Sequence, residues 1–192
     1  MRNDGRVSLA FFYFDFRDKD KKQDFRNFIT SLLVQFSAYS SPCCKIIHEI
    51  YSTHGKGTQQ PGNDILKTSL WKMLEVTANQ PTYIIVDALD ECPNISGIPT
   101  PREEVLGLVK DLVDLRFPNL HICVTSRPEI DIKISLQPLV SSAVSLHHES
   151  GQKKDIFDYV SGVVSSDSRM HRWRNDQKEL VVEELTKKVD GM

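Results

Sequence analysis

Long hydrophobic runs are missing from this 192-residue chain, and with them any stretch apolar enough to cross a bilayer as a helix. An excess of one charge is missing too. The 24 basic and 26 acidic side chains leave a net charge of −2, so no global field draws in nucleic acid or an acidic membrane surface. The N-terminus, MRNDGRVSLAFFYFDF, has an early arginine but no signal-type apolar segment before its first strand-like run. Cysteine is scarce. The four residues Cys43, Cys44, Cys92 and Cys123 match neither a zinc spacing nor a disulfide framework, and the expectation is reduced thiols in a cytoplasmic chain. No repeat of solenoid period, no G-x-S-x-G elbow and no H-E-x-x-H motif occurs. The formal sequon Asn94-Ile95-Ser96 means nothing without a secretory signal.

What is present is ordinary soluble composition, 40% hydrophobic and 26% charged, in a length that suits one domain or a large piece of one. Ser8 to Phe16 is aromatic-rich and reads as a strand. After a polar break from Asp20, Phe25, Phe28, Ile29, Leu32, Leu33 and Phe36 recur at helical spacing. Pro42 opens a second helix carrying Ile46, Ile47 and Ile50. The loop HGKGTQQPGN leads to a third helix, which Asn63 or Asp64 can cap, with Leu66, Leu70, Leu74 and Ala78 on one stripe. Strand YIIVD follows, then a helix over about 102–116, strand LHICVTSR, a mixed segment and a possible strand at Ala143 to His147. Two helical patterns close the chain, 152–164 and 176–189, with Gly191 placed as a C-cap. Strands alternating with helices predict βαβ units and a mostly parallel sheet, and the near-continuous apolar strands suit burial on both faces.

In open α/β sheets ligands bind beyond the carboxyl ends of the strands. One strand delivers Asp87 there, with Asp90 and Glu91 in the next turn; the other delivers Thr125, Ser126 and Arg127. Three carboxylates that close repel one another unless a cation or basic group compensates or one of them holds a proton. A Mg²⁺ ion takes one or two carboxylates and phosphate oxygens, and an arginine suits bidentate phosphate capture. The set reads as a Mg-nucleotide site. The plainer readings are a solvated acidic turn and a salt bridge from Arg127 to a nearby acid.

YIIVDALDEC resembles the Walker B motif of the NACHT and nephrocystin-3-like class of STAND P-loop NTPases, in the form found in many fungal multidomain proteins. HICVTSRPE is similar to that family's sensor 1 strand, and LAFFYFDF to the strand after its P-loop helix. The resemblance extends over nearly the whole chain, to KKVDGM, and implies one partial three-layer P-loop NTPase-like domain over 1–192, with Walker B at 83–91, sensor 1 at 120–128 and C-terminal helices at 152–190. It implies that Asp87 holds Mg²⁺ through water, that Asp90 and Glu91 position or polarise the attacking water, and that Arg127, beside Thr125 and Ser126, senses the γ-phosphate of ATP or GTP. It further implies a switch working by self-association or with other domains of a larger protein, such as a winged helix and ankyrin or WD40 repeats.

The family's phosphate loop, G-x-x-x-x-G-K-[ST], does not occur in these residues. Gly55-Lys56 lacks the preceding glycine and follows a helix. The resemblance implies that the P-loop strand and helix would precede LAFFYFDF, with the strand between sensor 1 and the later strand. Without it, two strand edges face a gap, which invites aggregation or pairing with another chain. The expectation is a fragment of a nucleotide-dependent switch, not catalytically competent alone. One alternative is a non-catalytic interaction module on the same scaffold. Another is a metal-dependent hydrolase drawing His147, His148 and Glu149 to the acids, although adjacent histidines on a strand point to opposite faces. Cys43-Cys44 near His48 reads as a helix face, and His171 to Arg174, HRWR, reads as an exposed helix start or loop, so nucleic acid is not an expected partner.

Overall fold

The computed structural model describes residues 7–18, 23–38, 40–95, 97–145 and 150–188. They fall into two compact units, Met1–Val140 and Ser141–Met192. The first unit runs β1 (Ser8–Tyr13), α1 (Phe25–Ser37), α2 (Ser41–Thr53), α3 (Asn63–Val76), β2 (Thr82–Asp87), α4 (Pro101–Asp114), β3 (Leu120–Val124) and α5 (Ile130–Leu136). The second holds α6 (Ser150–Ser166) and α7 (Asn175–Lys188), which pack together as a hairpin and bury Val164 and Val182.

Local chemistry starts each helix where its backbone donors find an acceptor. Asp24 caps α1 by accepting from Asn27 N–H at 2.6 Å. Ser40 caps α2 with proline in the first turn, and Thr100 and Glu103 form a reciprocal capping box on α4. For α3 the expectation is corrected. Gly62 is the N-cap, and Asn63 is already helical, its side-chain amide donating to Glu104 Oε1 at 3.1 Å. The helix stripes read from the sequence are buried in α1 (Phe25, Phe28, Ile29, Leu32, Leu33, Phe36), largely so in α3, and only partly in α2 (Ile46, Ile47, Ile50), while α4 buries Val105, Leu106, Leu108, Val109 and Leu112.

The three strands are parallel in the order β1-β2-β3, so the fold is an α/β parallel sheet flanked by helices. Both crossovers step the same way across the sheet. Right-handed connections therefore carry α1–α3 and α4 to one face. That face holds Ala10, Phe12, Phe14, Ile84 and Val86, joined by the partly buried Leu120, Ile122 and Val124. Phe28 lies at its centre, 5.4 Å from the Phe12 ring and 6.0 Å from Phe14.

The opposite face departs from the expectation of strands covered on both sides. Phe11, Tyr13, Tyr83 and Ile85 remain 36–46% exposed there. An apolar strand reveals that both of its faces avoid polar residues, but not whether a second helical layer is present. This is the incomplete form of the three-layer arrangement.

The two edges of the sheet also differ. On β1, Gln35 from α1 acts as a substitute peptide, accepting from Phe11 N–H at 3.2 Å and donating to Phe11 C=O at 2.7 Å. On β3, Thr82 N–H bonds Asn119 C=O at 2.8 Å and Thr125 N–H bonds Val86 C=O at 2.9 Å. That alternation turns the main-chain groups of Ile122 and Val124 away from β2. No further strand pairs with β3 among the described residues. The possible strand at Ala143 to His147 is corrected for 143–145, which are not in a strand. Leu146 to Glu149, with His147, His148 and Glu149, lie outside the described residues, as does Gly191.

Candidate functional site

Asp87 is the last residue of the central strand, exposed at its carboxyl end. The next residue, Ala88, adopts a left-handed conformation (φ 54°, ψ 47°). For a residue with a Cβ this costs on the order of 1 kcal/mol or more, a strain found preferentially at functional positions. The turn lets the chain fold back at once into a short 3-10 segment, Leu89–Glu91, pinned to the core by the fully buried Leu89. All three acids are thus delivered within one turn of the strand end.

Each acid finds a different partner. Thr125, at the end of β3, donates its hydroxyl to Asp87 Oδ1 and accepts Ala88 N–H at 3.1 Å. Asp87 Oδ2 has no hydrogen-bond partner among the described residues. Asp90 reaches the segment after β3: its Oδ1 accepts Arg127 N–H at 3.0 Å, and Oδ2 lies 3.5 Å from Arg127 Nε. The Asp90 side chain is 10% exposed and that of Arg127 72% exposed, so the acid is an anchored group and the arginine a solvated one. Glu91 turns to the other side of the sheet, where Oε2 accepts Phe16 N–H at 3.0 Å, just beyond β1. Ser126 donates its hydroxyl to Arg127 C=O at 2.6 Å.

The acid turn therefore staples together the carboxyl ends of all three strands. The sequence reading brought Asp87, Asp90, Glu91, Thr125, Ser126 and Arg127 to one edge, and the structure groups Asp87 with Thr125 and Asp90 with Arg127. It does not bring the three carboxylates onto one point. Among the described residues no group of three His, Cys, Asp or Glu side chains could hold a metal ion. A single exposed carboxylate with a neighbouring hydroxyl still fits Mg²⁺, which needs few protein ligands when water and phosphate complete its shell.

Sequence reasoning missed Arg102. This residue is 8% exposed in the first turn of α4 and donates to Asp90 C=O at 2.6 Å and Cys92 C=O at 2.9 Å. Its Nη1 also meets Asp131 at 3.1 Å. A cation in the first turn opposes the helix dipole, and that mismatch was the available signal. Nearby Cys92 is not a nucleophile: burial pushes its thiol up to about 12, more than Arg102 draws it down.

Residues 1–127 match the family described as Nephrocystin 3, N-terminal. The chain belongs to this family. The match covers β1 to β3 and ends on Arg127, so every residue of the acid turn and of the β3 end lies inside it. No curated protein and no solved structure matches the chain. HRWR falls between α6 and α7 in the second unit, outside the match, and no helix among the described residues is long and apolar enough to cross a membrane.

Proposed function

We propose that this nephrocystin 3 N-terminal chain is the Walker B and sensor part of a STAND-type nucleotide-dependent switch. The observation that carries the reading is the pairing of exposed Asp87, at the carboxyl end of the central strand, with Thr125 at the same height on the neighbouring strand. Ligands of open parallel sheets bind at that edge. Asp87 would hold Mg²⁺ through water. That ion would supply charge neutralisation at the phosphates of ATP or GTP. Arg127, largely solvated, is free to leave Asp90 for a γ-phosphate, and Asp90 and Glu91 are the candidates to orient water. Thr125 keeps the Asp87 carboxylate oriented.

Phosphate binding also needs a Gly-rich loop ending in Gly-Lys-Ser/Thr, which these 192 residues do not contain. The chain alone is accordingly proposed to have no turnover. Mg-dependent phosphate release from the purified chain, abolished by Asp87→Ala, would overturn that statement. The switch reading itself is tested by the genomic sequence 5′ of the Met1 codon. It should encode such a loop, and Asp87→Asn in the longer protein should weaken Mg-nucleotide binding at least about tenfold, as loss of a charged ligand implies.

A second reading, an interaction scaffold without hydrolysis, is favoured by one observation. Asp90 and Glu91 each accept a backbone N–H and so already have structural work. An upstream sequence with no phosphate loop would decide for it.

A further inference from the structure

Arg102 joins segments that are far apart in sequence. Its Nη2 and Nε hold the main-chain carbonyls of Asp90 and Cys92 at 2.6 and 2.9 Å. Its Nη1 lies 3.3 and 3.1 Å from the two carboxylate oxygens of Asp131, in the first turn of α5. A guanidinium can do this because its donors are fixed in a planar fork; an ammonium cannot span three acceptors at once. Asp131 is fastened in turn by Asn94, whose amide donates at 3.1 Å and whose oxygen accepts from Thr100, the α4 cap, at 2.9 Å.

Asp90 is consequently held twice by one stretch of chain. Its side chain is held by Arg127, and its carbonyl is held through Arg102 by Asp131, four residues further on. We propose that Arg102 is a positioning residue that couples the acid turn to the start of α5, so that the 127–131 segment and the 88–92 turn shift together. Its bearing on nucleotide sensing rests on the reading above: drawing Arg127 toward a phosphate would move α5, and moving α5 would re-aim Asp90. The geometry makes α5 the element through which the site communicates.

The test is hydrogen exchange of the whole 192-residue chain, without nucleotide, so that failure of the nucleotide reading does not affect it. The amides of Glu91 and Cys92 are bonded to Ala88 and Leu89 carbonyls and report on the turn. Asp131→Ala should speed their exchange about tenfold while α1 amides keep their protection, as expected for local opening. Asp131→Glu should restore most of the protection, and Arg102→Lys should behave like Asp131→Ala. Adding Asp131→Ala to Arg102→Met should speed the turn no further than Arg102→Met alone, because the path is already cut. If Asp131→Ala does not fold, Asp131→Leu, which also offers Arg102 no acceptor, carries the same comparison. Unchanged exchange at 91–92, or exchange rising equally in the turn and α1, would overturn the proposal.

Discussion

Replacing Asp90 separates an anchor from a catalytic base. Its carboxylate accepts Arg127 N–H at 3.0 Å and lies 3.5 Å from Arg127 Nε, with the acid 10% and the arginine 72% exposed. A hydrogen bond to a charged acceptor contributes about 1.5–3 kcal/mol, and an ion pair whose cation is solvated contributes about 0–1 kcal/mol. Asp90→Ala removes both and should lower the unfolding free energy by about 2 kcal/mol. Asp90→Asn keeps an oxygen for the Arg127 N–H and should cost about 1 kcal/mol or less. Urea denaturation followed by helix circular dichroism, with unchanged m, measures the difference. Equal losses for Asn and Ala would show that the charge, not the hydrogen bond, carries the contact. Losses below about 0.5 kcal/mol for both would refute the anchoring and leave Asp90 free for chemistry.

The half-exposed sheet face should govern solubility: Phe11→Ser with Tyr83→Ser removes two of its part-exposed rings and should raise the monomer fraction in light scattering. No change in self-association would exclude that face as its source. Ellman's reagent should titrate Cys44 and Cys123 in the native chain and reach the buried Cys43 and Cys92 only on unfolding; four fast thiols would refute the packing around α2 and the acid turn. Because the folded pKa of Cys92 is raised from 9.0 to about 12, the unfolded chain loses this proton first. The contribution is present below about pH 9 and lost as pH rises toward 12. Urea midpoints across that window should fall less for Cys92→Ala than for the parent chain, and parallel curves would refute it.

Much of the fold was legible because its signals are local. The Phe25 to Phe36 stripe is an i, i+3, i+4 pattern that one helix face must bury, and YIIVD and LHICV are short, β-branched-rich apolar runs flanked by the turn residues Asn79-Gln80-Pro81 and Phe117-Pro118-Asn119, which favours strands. The acid cluster at the end of YIIVD pointed to the right edge of the sheet for the same reason. The half-exposed face was not legible, because apolar alternation is nearly lost in a strand such as SLAFFY whether or not a helix covers it. The Gly62 cap was missed because it works through backbone conformation, with no side chain to signal it.

The sequence by itself determined most of the elements, their parallel α/β pairing and the six polar residues at the carboxyl edge, but it left α5 as a mixed segment and placed a strand over 143–145 where there is none. Period, capping chemistry and motif spacing are all set within a few residues of chain. Only the tertiary structure decided which acid does what. Asp87 meets Thr125 38 residues away, Asp90 meets the Arg127 backbone 37 away, and Glu91 turns back 75 residues to Phe16. It also decided that Arg102, marked in the sequence only by its unfavourable place in a first helical turn, holds the turn from behind. Distances of that kind are fixed by how strands are ordered and crossovers handed, and no local pattern encodes them.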